Sequence, residues 1–190
     1  MRIRLLPPLL CVGVLAAPLA AHAQDFPNRT IKLVVPYAAG GGTDAMARFL
    51  ARGMESRLGQ PIVVENKPGA GANIGADFVA KAPADGYTLL MGTNATHAMN
   101  AAMYPSLSFD PVKDFAPVSL LATGPAVIVV HPSIPVKTLK ELVALAKSRP
   151  GQLNYGSPGV GSSPHLTGEL FKLETGTSIV HVPYKGNAEA

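Results

Sequence analysis

The sequence predicts an α/β protein organised around a largely parallel sheet. Two observations carry this: short β-branched runs alternate with longer amphipathic stretches, and glycine-rich loops follow several of the runs and open into helical patterns. The candidate strands are residues 31–35, 62–65, 88–92, 126–130, 153–156 and 179–182.

A leader precedes the first strand. Arg2 and Arg4 form a basic n-region, residues 5–20 an apolar h-region, and Ala21-His22-Ala23 a small-x-small cleavage motif. Residues 1–23 therefore read as a signal peptide cut after Ala23, and the protein as exported to the periplasm. Pro7, Pro8 and Pro18 interrupt the apolar run. It falls short of the roughly 18 to 20 continuous residues of a spanning helix, so no membrane insertion of the mature chain is expected. Cys11 sits inside that run behind Leu9 and Leu10, so lipidation is not indicated. A mature chain without cysteine must be held by apolar burial instead of disulfides. The formal net charge of +4 falls to +2 when Arg2 and Arg4 leave, and the remaining basic residues are scattered. Nucleic acid and membrane-surface partners are not indicated.

After the first strand, residues 44–58 place Met46, Phe49, Leu50, Met54 and Leu58 on one face of a 3.6-residue period, with Gly59 as a stop. Between residues 103 and 125 the period is broken by Pro105, Pro111, Pro117 and Pro125. A domain boundary is placed close behind, giving one α/β lobe over 24–125 and a second over 126–190. Thr138 and Glu141 make a capping box for a helix with an apolar face of Leu139, Leu142, Val143 and Ala146. A last helix is predicted with Ser163 as N-cap, Pro164 at its first position, Leu166, Leu170 and Leu173 along it, and an end near Gly176.

The loops carry the candidate chemistry. Pro36-Tyr37-Ala38-Ala39-Gly40-Gly41-Gly42-Thr43-Asp44 joins a buried strand to a helix, so close backbone approach and a helix N-terminus favour an anion. The same residues would also make a plain strand-to-helix turn capped by Thr43 or Asp44, and Asp44 competes with an anion for the same donors. No Gly-Lys-Ser/Thr follows, which excludes a P-loop. The loop at 66–75 is spaced Gly-x-Gly-x-x-x-Gly, with Ile74 where a dinucleotide fingerprint needs glycine, so no cofactor is expected. Thr93 and Asn94, and the run Gly159, Gly161, Ser162, Ser163 and His165, offer hydroxyls, an amide and backbone donors at strand ends. In open α/β sheets such loops converge on one crevice. No Gly-x-Ser-x-Gly or His-Glu-x-x-His occurs, and the histidines at 97, 131, 165 and 181 are too scattered for a metal motif. His131 and His181 fall within strand-like runs, where a structural histidine is expected, whereas His165, in the first turn of the last predicted helix beside a candidate loop, is a candidate ligand contact. The enzyme alternative is a secreted serine hydrolase using Ser162 or Ser163 with a histidine.

Several ordered motifs resemble a known family: Pro27-Asn28-Arg29, Ile31-Lys32-Leu33-Val34-Val35-Pro36-Tyr37 with its Gly-Gly-Gly-Thr-Asp turn, Val64-Glu65-Asn66-Lys67-Pro68-Gly69-Ala70, Asp85-Gly86-Tyr87-Thr88-Leu89, Asp114-Phe115-Ala116-Pro117-Val118, Tyr155-Gly156-Ser157 and Val182-Pro183-Tyr184-Lys185-Gly186. They are similar to the substrate-binding proteins of tripartite tricarboxylate transporters, the Bug or TctC family. The resemblance implies a two-lobed, type II periplasmic-binding-protein fold of mixed, mostly parallel sheets, closing like a hinge on a small organic carboxylate. It implies membrane transporter subunits as partners, no catalytic activity and no cofactor. It places ligand contacts at Tyr37, Ala38, Ala39, Gly40, Gly41, Thr93 and Asn94 in the first lobe and at Gly159, Gly161, Ser162 and Ser163 in the second. It also implies further chain beyond Ala190, with the second lobe incomplete in the sequence as given.

Overall fold

The computed structural model describes residues 26–190, so the predicted leader lies outside the described residues. Strand β1 (Ile31–Val35) is central, with β2 (Ile62–Asn66) on one side and β3 (Thr88–Leu90) on the other, all parallel. A parallel sheet covered on both faces needs an apolar central strand. Ile31, Leu33, Val34 and Val35 are accordingly all buried.

Helix α1 (Gly42–Leu58) packs on this sheet and ends at Gly59, whose φ of 65° is the left-handed cap the sequence marked. The packed stripe is Ala47, Leu50, Ala51, Met54 and Leu58, while Met46 and Phe49 are exposed. The predicted face is thus rotated by about one position. Two alanines let the helix backbone sit close to the strands, and the bulkier Met46 and Phe49 fall outside that contact. A 3-10 turn (Ala70–Ala72) leads into α2 (Asn73–Ala80). After β3 a π-helical turn (Ala95–Met99) runs into the short α3 (Asn100–Met103).

Residues 104–137 have no regular element among the described residues. The strand predicted at 126–130 does not form. Val127 and Val129 are 78% and 83% exposed, and the run pairs with neither sheet. Its β-branched composition is suited to a strand, but a strand exists only where a neighbour takes up its hydrogen bonds. His131, expected within a strand, therefore lies in a loop.

Helix α4 (Leu139–Ser148) begins as the capping box predicts, with Thr138 Oγ1 accepting the Glu141 N–H at 3.2 Å. The return bond differs: Glu141 accepts the N–H of Lys137, one residue before the cap. Leu142 and Ala146 are buried, whereas Leu139 is exposed. Strand β4 (Asn154–Ser157) pairs in parallel with β5 (Val180–Pro183) as a separate two-stranded sheet. Between them runs α5 (Ser163–Thr175), closed by Gly176 in the left-handed region. Its N-cap is Ser162 and not the predicted Ser163, because Ser162 Oγ reaches the His165 N–H. Leu170 and Leu173, which lie along the predicted helix, are 55% and 78% exposed. No helix among the described residues is long and apolar enough to cross a membrane.

Candidate functional site

The loop at 37–41 leaves the carboxyl end of β1. Tyr37 is buried, its hydroxyl lies 3.1 Å from Thr93 Oγ1, and burial pushes its pKa up, so the phenol stays neutral. Behind the loop Asp44 is buried in α1 and accepts hydrogen bonds from Gly40 N–H at 2.9 Å, Arg48 Nε at 3.0 Å and Asn66 Nδ2 at 2.9 Å. The Arg48 guanidinium, aided by these N–H donors and opposed by burial, holds its carboxyl at about 2. The competition between Asp44 and an outside anion is therefore decided at Gly40, whose amide Asp44 has taken. Ala38 N–H donates to Lys185 O at 3.2 Å.

At the end of β3, Thr93 and Thr96 form a closed turn, Thr93 N–H donating to Thr96 Oγ1 at 2.9 Å. Asn94 Oδ1 accepts from Ala95 N–H at 3.0 Å and from Ser163 Oγ at 2.7 Å. That second bond ties a loop of the three-stranded sheet to the start of α5. On the β4 side, Gly159 and Gly161 have φ of 122° and 87°, a backbone that β-carbon-bearing residues avoid. Ser157 Oγ accepts the Gly159 N–H, and Ser162 Oγ donates to Gly159 O at 2.7 Å.

The two sets of loops touch. A β-carbon added at Gly161 would stand 2.5 Å from Asn100 Oδ1, and one at Gly71 only 2.2 Å from Val160 O. Tyr104 OH also donates to Val160 O at 3.4 Å. Asn100 itself is fully buried, its Nδ2 donating to Gly71 O and Asn73 Oδ1 while its Oδ1 has no partner among the described residues. Because the Gly71 carbonyl can only accept, the amide cannot be turned round, and Oδ1 faces Gly161. Cavities of about 550 Å³ and 250 Å³ lie elsewhere, the larger beside Tyr104, Leu107, Phe109 and Asp110, the smaller beside Arg48 and Glu55. A molecule bound among the loops would have to part them, as a hinge does.

The structure thus brings Tyr37 beside Thr93, and Asn94 beside Ser163. It places Gly159 and Gly161 against Gly71 and Asn100. Ser162 is buried as the helix cap, and His165 turns inward, its Nδ1 accepting the Gly161 N–H at 3.2 Å. Sequence reasoning missed the turn at 184–190 as part of the cluster. Gly186 packs on Ala38, Asn187 on Gly41 and Ala188 on Gly40. The signal was present: residues 182–186 end a strand parallel to β4 on the same sheet edge. Asn100 and Tyr104 were missed as well, since nothing in their spacing marks them.

The chemistry offered is neutral hydrogen-bond donation. Among the described residues neither Ser162 nor Ser163 hydrogen-bonds an imidazole ring; the serines that do are Ser133, 2.7 Å from His131 Nδ1 in the exposed loop before α4, and Ser157, whose Oγ lies 2.6 Å from His181 Nε2. Ser157 is fully buried and its hydroxyl is engaged with the Gly159 backbone, so no substrate reaches it. Among the described residues no group of His, Cys, Asp or Glu is placed to hold a metal.

Comparison with known proteins points one way. Residues 46–190 match the model of the family described as tripartite tricarboxylate transporter family receptor. The chain is 43% identical over 177 residues to protein BugT of Bordetella pertussis, covering 93% of this chain and 54% of that protein. It resembles Rhodopseudomonas palustris Rpa4515, solved with adipate (TM-score 0.85, 44% identity, 87% of this chain and 55% of that one). It also resembles MatC from Rhodopseudomonas palustris, solved with bound malate (TM-score 0.81, 38% identity, 86% and 56%). The chain spans about half the length of the relatives it matches. These likenesses lend no support to the serine hydrolase alternative.

Proposed function

The chain belongs to the tripartite tricarboxylate transporter receptor family, and from that premise we propose that the protein binds a small organic carboxylate in the periplasm for a membrane transporter. The observation that carries the reading is the meeting of loops from two separate sheets, through Asn94 with Ser163 and Ala38 with Lys185, in a setting of neutral donors. The ligand would sit between lobes at about 24–125 and 126–190. Its charge would be held by amides at Tyr37, Ala38, Ala39, Gly40 and Gly41, by Thr93 and Asn94, and by Gly159, Gly161, Ser162 and Ser163. In this reading the Ala38 amide is freed from Lys185 when the loops part to admit the ligand, and the Gly40 amide when Asp44 gives up that bond. Adipate and malate, bound by the two solved relatives, set the scale of ligand to be tried.

The leader and its cut after Ala23 fit an exported receptor, and N-terminal sequencing of periplasmic protein checks them. Hydrogen bonds to a charged group contribute about 1.5 to 3 kcal/mol each, so a few suffice for micromolar binding after ordering costs. Donors that recognise charge should discriminate against a neutral isostere. Calorimetric titration with malate, adipate and their diamides is expected to give at least about tenfold weaker binding for the amides, a difference of about 1.4 kcal/mol. Equal affinity for acid and amide would refute the anion site, and ester turnover would restore the hydrolase.

A further inference from the structure

Next to the Gly159 and Gly161 turn, the rings of Tyr155, His181 and His165 form a series, with centroids 4.9 Å and 4.2 Å apart. The series links β4, β5 and α5. Each imidazole is tied to the turn. His165 Nδ1 accepts the Gly161 N–H at 3.2 Å, so that nitrogen carries no proton. His181 Nε2 meets Ser157 Oγ, which in turn accepts the Gly159 N–H. The charged groups facing the pair are Glu169 and Lys172 on α5, and these bond to each other at 2.8 Å. Glu169 also accepts from Tyr155 OH at 2.7 Å. From β4 come Tyr155 and Ser157, and β5 contributes His181 itself. Burial, followed by the neighbouring His165, holds His181 below the usual imidazole range, so it does not supply a compensating charge.

We propose that His165 is a positioning residue for the carboxylate site, holding the Gly161 turn only while its ring is neutral, so that ligand affinity falls on acidification; this rests on the function proposed above. Protonation puts an N–H at Nδ1 against the Gly161 N–H, two donors where one bond stood. It also sets a cation 4.2 Å from the His181 ring. The turn then loses one of its two ties to α5, keeping only the Ser162 cap. The sign separates this role from direct contact: a histidine touching the bound carboxylate would strengthen binding as it gained charge.

The test is titration of malate and adipate into the full chain from about pH 8 to about pH 6. In parallel the Gly161 amide is followed by NMR without ligand. Wild type is expected to bind at least about threefold more weakly at the acid end, with the Gly161 resonance moving over the same range. His165→Ala should weaken binding at both ends. His165→Gln, whose amide oxygen accepts without titrating, should recover much of the loss and flatten both profiles. Tighter binding in acid, a Gly161 resonance that does not titrate, or an unchanged profile in His165→Gln overturns the proposal. If neither acid binds at any pH while the Gly161 resonance still titrates with His165, the switch in the turn is supported and the carboxylate assignment falls.

Discussion

The loop at 37–41 stands on a strand buried on both faces, whereas the turn at 159–163 stands on a two-stranded sheet whose helix α5 has no buried residue. Both are strand-to-helix connections rich in glycine, so the difference lies in what supports them. The first is fixed by apolar packing, through Ile31, Leu33, Val35, Ala47 and Ala51. Polar bonds fix the second: Ser157 and Ser162 on Gly159, and His165 on Gly161. In the proposed shared site the first wall would rest mainly on apolar packing, with Asp44 holding Gly40, and the second on hydroxyl and imidazole bonds alone.

The comparison predicts unequal responses to like changes. Leu33→Ala in β1 removes a side chain that is 2% exposed and should lose about 2 to 5 kcal/mol by chemical denaturation. Asp44→Ala leaves Gly40, Arg48 and Asn66 donors without their acceptor and should cost about 1 to 3 kcal/mol. Asp44 also sets an acid limit on the first wall. Its folded pKa of about 2 is below the unfolded value of about 3.9, so its contribution is complete above the unfolded value and is lost as pH falls toward 2. Acid unfolding of Asp44→Ala should lack that component. Thr138→Ala, which removes the cap of α4, should cost about 1 kcal/mol. Leu173→Ala, the counterpart of Leu33→Ala on the other wall, should change stability by no more than about 0.5 kcal/mol. A loss comparable to that of Leu33→Ala would show that α5 is packed in solution.

Much of the first wall was legible in the sequence, because a strand buried on both faces must be largely apolar, as β1 is apart from Lys32, and Gly59 ends the following helix. The errors share a physical origin. An apolar run such as 126–130 reports a preference for strand geometry but not whether a neighbour exists to pair with it. The face of α1 was read from the period of its larger apolar residues, and the leucines of α5 carry no mark of whether a partner covers them. In α1 the contact went to Ala47 and Ala51, which permit close approach, and in α5 Leu170 and Leu173 remain exposed. With adjacent serines before Pro164, pattern could not decide which one caps α5. The part played by His165 depends on a ring nitrogen meeting Gly161, and that of Gly186 on packing against Ala38 across 148 positions of sequence. Spacing encodes neither.

The central claim is that loops from the two sheets form one carboxylate site. Backbone amide NMR during titration with malate and adipate tests it most directly. Amides at 38–41 and at 159–163 are expected to shift together with a single dissociation constant, while those beside the larger cavity at 107–111 stay unmoved. Shifts confined to one wall, or centred on residues 107–111, would contradict it.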